Sequence, residues 1–176
     1  MALSKFTAAL ALTAGLALAA GGALAHEGHQ GPPPKTPGGK AAWARHDNFK
    51  AQGAAFKAIL DELKKDSPDQ AVLSTNANKL KATSTALPSW FPKGSGPEAG
   101  VKTAAKAEIW TDAAGFDAAV TKAQAEAAKL ADVAAAGDLD AIKAQARTLG
   151  AACNACHEKY RVPAEPKPGA AASPSR

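Results

Sequence analysis

The sequence predicts an all-α protein, an antiparallel four-helix bundle, from three observations. Four segments carry apolar residues at the three- and four-residue steps of an amphipathic helix, no segment shows the two-residue alternation of a half-buried strand, and the connections run short, long, short. Alanine is abundant at the inward positions, which lets helices approach closely and leaves part of the core's apolar bulk to be supplied by something other than side chains.

The first 25 residues stand apart. Met1 to Ala25 has a lysine-bearing start (Lys5), an apolar Ala/Leu core from Ala8 to Ala20 and the small-residue site Ala23-Leu24-Ala25 before His26. This is the pattern of a secretory signal, too short and alanine-rich for a membrane anchor, so export to the periplasm is expected and no membrane association after cleavage. Removing 25 of 176 residues leaves 151, and removing Lys5 leaves 20 basic against 16 acidic residues, a net charge of +4. That length suits one domain with tails. The lysines are spread out and not interleaved with aromatics, which argues against a nucleic-acid partner.

His26 to Gly39 (HEGHQGPPPKTPGG) reads as a flexible leader, and the domain proper is expected over 40–162. The first helix is expected from about Lys40 to Lys65: Ala42, Phe49, Phe56 and Leu63 recur every seven residues, with Arg45 or His46, Gly53, and Ile59 or Leu60 between them. Asp66-Ser67-Pro68 ends it. Ser67 is the expected cap of the second helix, with Pro68 at its first position and Gln70 three residues past the cap. That helix runs to about Leu87 and aligns Leu73, Leu80 and Leu87.

Pro88 to about Val101 (PSWFPKGSGPEAGV) is the long crossover, in which Trp90 and Phe91 are apolar enough to fold back onto the core. The third helix is expected from about Thr103 to Ala136, on the seam Ile109, Ala113, Phe116, Val120, Ala123, Ala127, Leu130, Ala134. Gly137 closes it and Asp138 caps the fourth, Leu139 to Tyr160, whose inner stripe is Leu139, Ile142, Ala146, Leu149, Cys153, Cys156 and Tyr160. Val162-Pro163 stops the chain of helices, and 163–176 reads as a disordered Pro/Ala tail.

The chemistry sits on that last helix, in Cys153-Asn154-Ala155-Cys156-His157. Two cysteines three apart with a histidine after the second is the spacing that holds haem c: each thiol adds to a vinyl group and the imidazole reaches the iron. On a helix, 153 and 156 share a face and 157 lies beside it, so one rigid element supplies both attachments and the ligand. A redox dithiol, half of a zinc site and a disulfide are the competing readings of Cys-x-x-Cys. The other histidines, His26, His29 and His46, lie at no finger-like spacing from the cysteines, and a redox dithiol belongs at the start of a helix. One covalent haem c, with His157 as its metal ligand, is therefore expected near the C-terminal end of the fourth helix. The only methionine is Met1, so after signal removal no thioether side chain remains to be a sixth ligand.

The chain resembles the cytochrome c prime family, the class II c-type cytochromes, over roughly Lys40 to Arg161. The resemblance is carried by Arg45-x-x-x-Phe49-x-x-x-Gly53-x-x-Phe56-Lys57, by Leu87-Pro-Ser-Trp-Phe91-Pro92 with Gly94-Ser95, by Ile109-Trp110 and Phe116-Asp117, and by Leu149-Gly150, CNACH and Glu158-Lys159-Tyr160-Arg161. It implies that Phe49 stands where low-spin relatives place a methionine ligand, shielding the distal iron face without binding it. It implies that Arg45 lies near a haem propionate, that Arg161 borders the proximal pocket, and that His46 and Thr103 belong to the haem's surroundings. It implies, further, a high-spin protein that binds the diatomic gases NO and CO, exchanges single electrons with soluble redox partners, and forms a homodimer through its first two helices, with Trp43 at the interface. The competing reading is a six-coordinate electron carrier using His46 or a lysine. No pocket with general acid and base groups is evident, so no enzyme is expected.

Overall fold

The computed structural model describes residues 32–163; the expected signal (Met1 to Ala25), the leader as far as residue 31 and the tail from residue 164 lie outside that span. Its helices are α1 (Pro37–Glu62), α2 (Gln70–Ala86), α3 (Glu108–Thr111), α4 (Ala113–Ala136) and α5 (Leu139–Tyr160), with 3-10 turns at Leu87–Trp90 and Pro97–Ala99 in the crossover. The four long helices form the bundle. α1 packs on α2, α2 on α4 and α4 on α5, and these are the most extensive packings among the described helices.

Local chemistry moves several expected ends. α1 begins in the leader: Thr36 caps it, accepting from Gly39 N at 3.1 Å, and Pro37 takes the first position, where its missing N–H costs nothing. Gly38 and Gly39 permit this start, because a Cβ on Gly38 would collide with the carbonyl of Gly94 and one on Gly39 with Pro34 and Thr36. The helix ends at Glu62, not Lys65. The Glu62 carboxylate, 4% exposed, turns back to accept from Asp69 N at 2.8 Å and from Lys65 Nζ at 2.7 Å. Asp69 is thereby placed to cap α2, accepting from Ala71 N and Val72 N, and displaces the expected Ser67 cap.

The expected third helix is broken. Asp112, at φ −119 and ψ 57, interrupts it and caps α4 by accepting from Gly115 N at 3.2 Å, leaving α3 a single turn. Thr103 to Lys106, expected as helix, run extended instead. At the other end of α4 the expectation holds: Gly137 is left-handed (φ +79), and Asp138 accepts from Asp140 N and Ala141 N at 3.0 Å.

The core has two chemically distinct ends. One is aliphatic, with Ile59, Leu73, Leu80, Leu130, Ile142 and Leu149 packed among alanines. The other joins Leu87, Trp90, Ile109, Phe116, Val120 and Tyr160, with Phe49, Phe91 and Trp110 against it. Trp90 and Phe91 fold back from the crossover as the sequence predicts, and Trp110 Nε1 fastens them by donating to Phe91 O at 3.1 Å.

Candidate functional site

Asp138 caps the start of α5 and the Lys159 charge lies in its last turn, and the helix carries the motif near its end. Cys153 and Cys156 are free, half-buried thiols. Cys153 packs against the aliphatic end of the core and Cys156 against the aromatic end, so the pair marks the junction of the two. Burial pushes both thiol pKa values up, and for Cys156 the neighbouring Cys153 adds to the effect. A reactive dithiol needs the opposite shift, since the thiolate is the nucleophile. His157, at the surface of the helix, is held below its ordinary pKa first by desolvation and then by the charge of Arg161, which favours the neutral imidazole that a metal ligand requires. Among the described residues no three His, Cys, Asp or Glu side chains come together as a metal-holding group.

These residues fit a haem. Two thiols and an imidazole stand within five residues of one helix, at the junction of the aliphatic and aromatic clusters, and aromatic side chains stand nearby. Phe49 lies edge-on to Trp90 (centroids 5.1 Å, 88°) and to Phe91 (6.1 Å, 61°), Phe91 packs on Phe116 at 4.8 Å, and Phe116 on Tyr160 at 5.3 Å. This aromatic series connects α1 to the end of α5. At the aliphatic end α1 and α5 do meet through side chains: Phe56 lies against Gly150, where a Cβ would stand 3.4 Å from its ring.

Of the other expected site residues, the structure joins Arg45 to Thr103 and His157 to Arg161. Arg45 is 4% exposed. Its Nη1 donates to Trp90 O at 3.1 Å and Ser95 Oγ at 2.9 Å, and its Nη2 to Ser95 O at 2.7 Å and Thr103 Oγ1 at 3.0 Å. The guanidinium also lies over the Phe91 ring, 4.7 Å from its centroid. Burial lowers its pKa while Glu98 pulls the other way. Arg161 and His157 line one concavity with Asn154, Glu158, Val162 and Pro163. His46 is exposed, and Phe49 and Trp43 are half-buried.

Three contributors escaped the sequence reading. Ser95 is fully buried as the double partner of Arg45; Ala105 bridges antiparallel to Arg161; and Asp112 accepts from Tyr160 Oη at 2.8 Å and pairs with Lys159 at 2.6 Å. Only Gly94-Ser95-Gly96, a serine between two glycines, hinted at the first of these.

Residues 40–161 match the model of the family described as Cytochrome C'. A cytochrome c' of Rhodospirillum rubrum is 39% identical over 108 residues, 61% of this chain and 71% of that protein. Among solved structures, a cytochrome c' with an unusual ligand-controlled dimer dissociation superposes with a TM-score of 0.67 at 26% identity, over 73% of this chain and 98% of the other. The nitric oxide complex of a point mutant of cytochrome c prime from Alcaligenes xylosoxidans gives 0.65 at 31% identity, over 72% and 97%. The bundle, the paired thiols beside a histidine and these likenesses agree, and the chain belongs to the cytochrome c' family, as a c-type cytochrome with one covalently attached haem c.

Proposed function

We propose that the protein is a periplasmic, high-spin c-type cytochrome that binds NO and CO at its haem iron, with His157 as the one permanent protein ligand. The observation that carries this reading is Phe49: in the register where a sixth ligand would stand, α1 presents a phenyl ring locked edge-on to Trp90 and Phe91. When bound, ferrous haem with one imidazole supplies affinity for small π-acceptor gases. The protein's part is to hold the group through Cys153 and Cys156, orient it through His157, and wall the opposite face with apolar rings. The Phe49 ring offers no hydrogen bond to dioxygen, which disfavours carriage of O₂.

Arg161 lines the concavity beside His157, which supports its bordering the proximal pocket. The nitric oxide complex of the related Alcaligenes protein supports gas binding, and the ligand-controlled dimer of another relative supports pairing of two copies of the chain. Among the described residues no helix is long and apolar enough to cross a membrane. Export rests on the Met1 to Ala25 signal pattern, and one-electron exchange with soluble partners is a second role of the same iron.

The test is the optical and resonance Raman spectrum of the purified ferric and ferrous protein, before and after NO and CO. A high-spin charge-transfer band in the ferric form and new Soret bands with each gas are expected. A low-spin ferric spectrum that ignores both gases would overturn the proposal in favour of a six-coordinate electron carrier.

A further inference from the structure

The last turn of α5, which holds His157, ends under a strap formed by residues 103–106. Ala105 bridges antiparallel to Arg161, Lys106 N donates to Tyr160 O at 3.0 Å, and Val162 N donates to Ala104 O at 2.8 Å. Lys106 Nζ reaches the carbonyls of Glu158 and Lys159 at 3.3 and 3.2 Å. Those two carbonyls belong to the final turn, where no intrahelical donor remains and where a cation also offsets the helix dipole. Helix ends ordinarily fray. This one is held by main-chain and side-chain bonds from a segment some fifty residues earlier.

The strap is itself held at its other end by one hydroxyl. Thr103 Oγ1 accepts from Arg45 Nη2 at 3.0 Å and from Ala105 N at 3.2 Å. Arg45 in turn is fixed to Trp90 and Ser95. A continuous series of bonds thus runs from α1 through Arg45 and Thr103 to Ala105, Arg161 and, through the Arg161 N–H to His157 O bond of 3.0 Å, to the turn that carries the iron ligand.

We propose that Thr103 is a positioning residue for the haem ligand: its hydroxyl ties the strap to Arg45, and the strap sets the orientation and freedom of the His157 imidazole and of Arg161 beside it. The inference rests on haem attachment at the CNACH motif and is independent of whether the iron binds gases. It also accounts for an arginine buried where a shorter apolar residue would fill the space, since only a forked donor reaches two crossover carbonyls, the Ser95 hydroxyl and the strap at once.

The test uses the full holoprotein with Thr103→Val, Thr103→Ser, and Gln145→Leu as a control that loosens the α4–α5 contact at Glu126 away from the strap. Two readouts are followed: amide exchange at Val162 and Lys106, and the iron–histidine stretching band of the ferrous protein. Thr103→Val is expected to accelerate both amides roughly tenfold or more, the loss of a hydrogen bond to a charged group, and to shift or broaden the band. Thr103→Ser keeps the hydroxyl and is expected to match the parent in both. Should Thr103→Val fold poorly, Lys106→Met removes only the ammonium and is expected to move both readouts the same way by less.

The inference is overturned if the valine variant leaves both readouts unchanged, or if Gln145→Leu shifts the band as much. If the unmodified ferrous protein shows no such band at all, the gas-binding reading fails and the amide rates alone decide the strap.

Discussion

Arg45 and Ser95 are joined twice across fifty positions of sequence, Nη1 to the serine hydroxyl at 2.9 Å and Nη2 to its carbonyl at 2.7 Å, with Ser95 fully buried. This pair clamps the crossover onto α1, and the crossover in turn places Trp90 and Phe91 against Phe49. Truncation by Arg45→Ala leaves three buried acceptors without their charged donor and is expected to cost about 3 kcal/mol or more. Arg45→Lys keeps the charge but loses the fork, with an expected cost of about 1–2 kcal/mol. Chemical denaturation of the holoproteins checks the order; a lysine variant as weak as the alanine variant would show that geometry, not charge, does all the work.

On the proposed reading, Phe49 screens the iron from the α1 side. Phe49→Ala is expected to accelerate CO binding and to cost roughly 2 kcal/mol, less than a fully buried phenylalanine because this ring is half-buried. Phe49→Met offers a thioether in the same register and is expected to convert the iron to low spin and abolish CO binding. Stopped-flow mixing with CO and the ferric absorption spectrum measure the two effects; a methionine variant that stays high-spin would place residue 49 away from the iron.

Asp112 links the end of α5 to the start of α4, and its titration carries a definite sign. Hydrogen bonds from Lys159 first, then Tyr160, hold its carboxyl below the ordinary 3.8, while Lys159 is pushed up to about 12. A carboxyl depressed in the fold contributes stability that is fully present above its unfolded pKa and is lost as pH falls through the folded value. Stability is therefore expected to decline as pH drops below about 4, and Asp112→Asn should flatten that part of the profile while leaving a lower plateau at neutral pH. Thermal melts from pH 7 to pH 2.5 provide the comparison.

How much of this was readable in the residues follows the range of the interactions. The junction of α4 and α5 was legible, because Gly137 and Asp138 act on their immediate neighbours. The seam from Phe116 to Ala134 was legible because a three-four period reports a buried face. The same period could not reveal the break at Asp112, since a one-turn helix followed by a capped helix keeps the apolar spacing. The cap of α2 was misplaced for a related reason: what selects Asp69 is the Glu62 carboxylate seven residues earlier, which takes the Asp69 N–H. In the site, the CNACH motif is local and was read directly. Arg45 was singled out by resemblance, but its partners lie 45 to 58 positions away, and nothing near residue 45 names them.

Gly38 tests whether the early start of α1 matters. A Cβ there would run into the Gly94 carbonyl, and backbone on both sides leaves little to yield. Gly38→Ala is expected to cost about 1–3 kcal/mol despite the better helix propensity of alanine, whereas Gly53→Ala, where a Cβ meets nothing, should gain up to about 1 kcal/mol. Opposite signs at two glycines of one helix, read by thermal melting, would separate close approach from propensity; equal signs would refute the contact with Gly94.

Removal of the haem is the widest perturbation, and the two-ended core predicts an uneven response. Cys153→Ser with Cys156→Ser prevents covalent attachment at the junction of the two ends. The aliphatic end, where Ile59, Leu73, Leu130 and Ile142 are each no more than 1% exposed, does not depend on the group and should keep its helices. The aromatic end should loosen, because Phe49, Phe91 and Trp110 are only partly covered by protein and lose the surface the group provides. Helical far-UV signal with weakened near-UV signal, dye binding at exposed aromatics, and amide protection surviving around Leu73 and Leu130 but not around Trp90 are the expected results. Uniform protection throughout the haem-free protein would mean that the aromatic end packs by itself, and the site would then have to be sought on another face of α5.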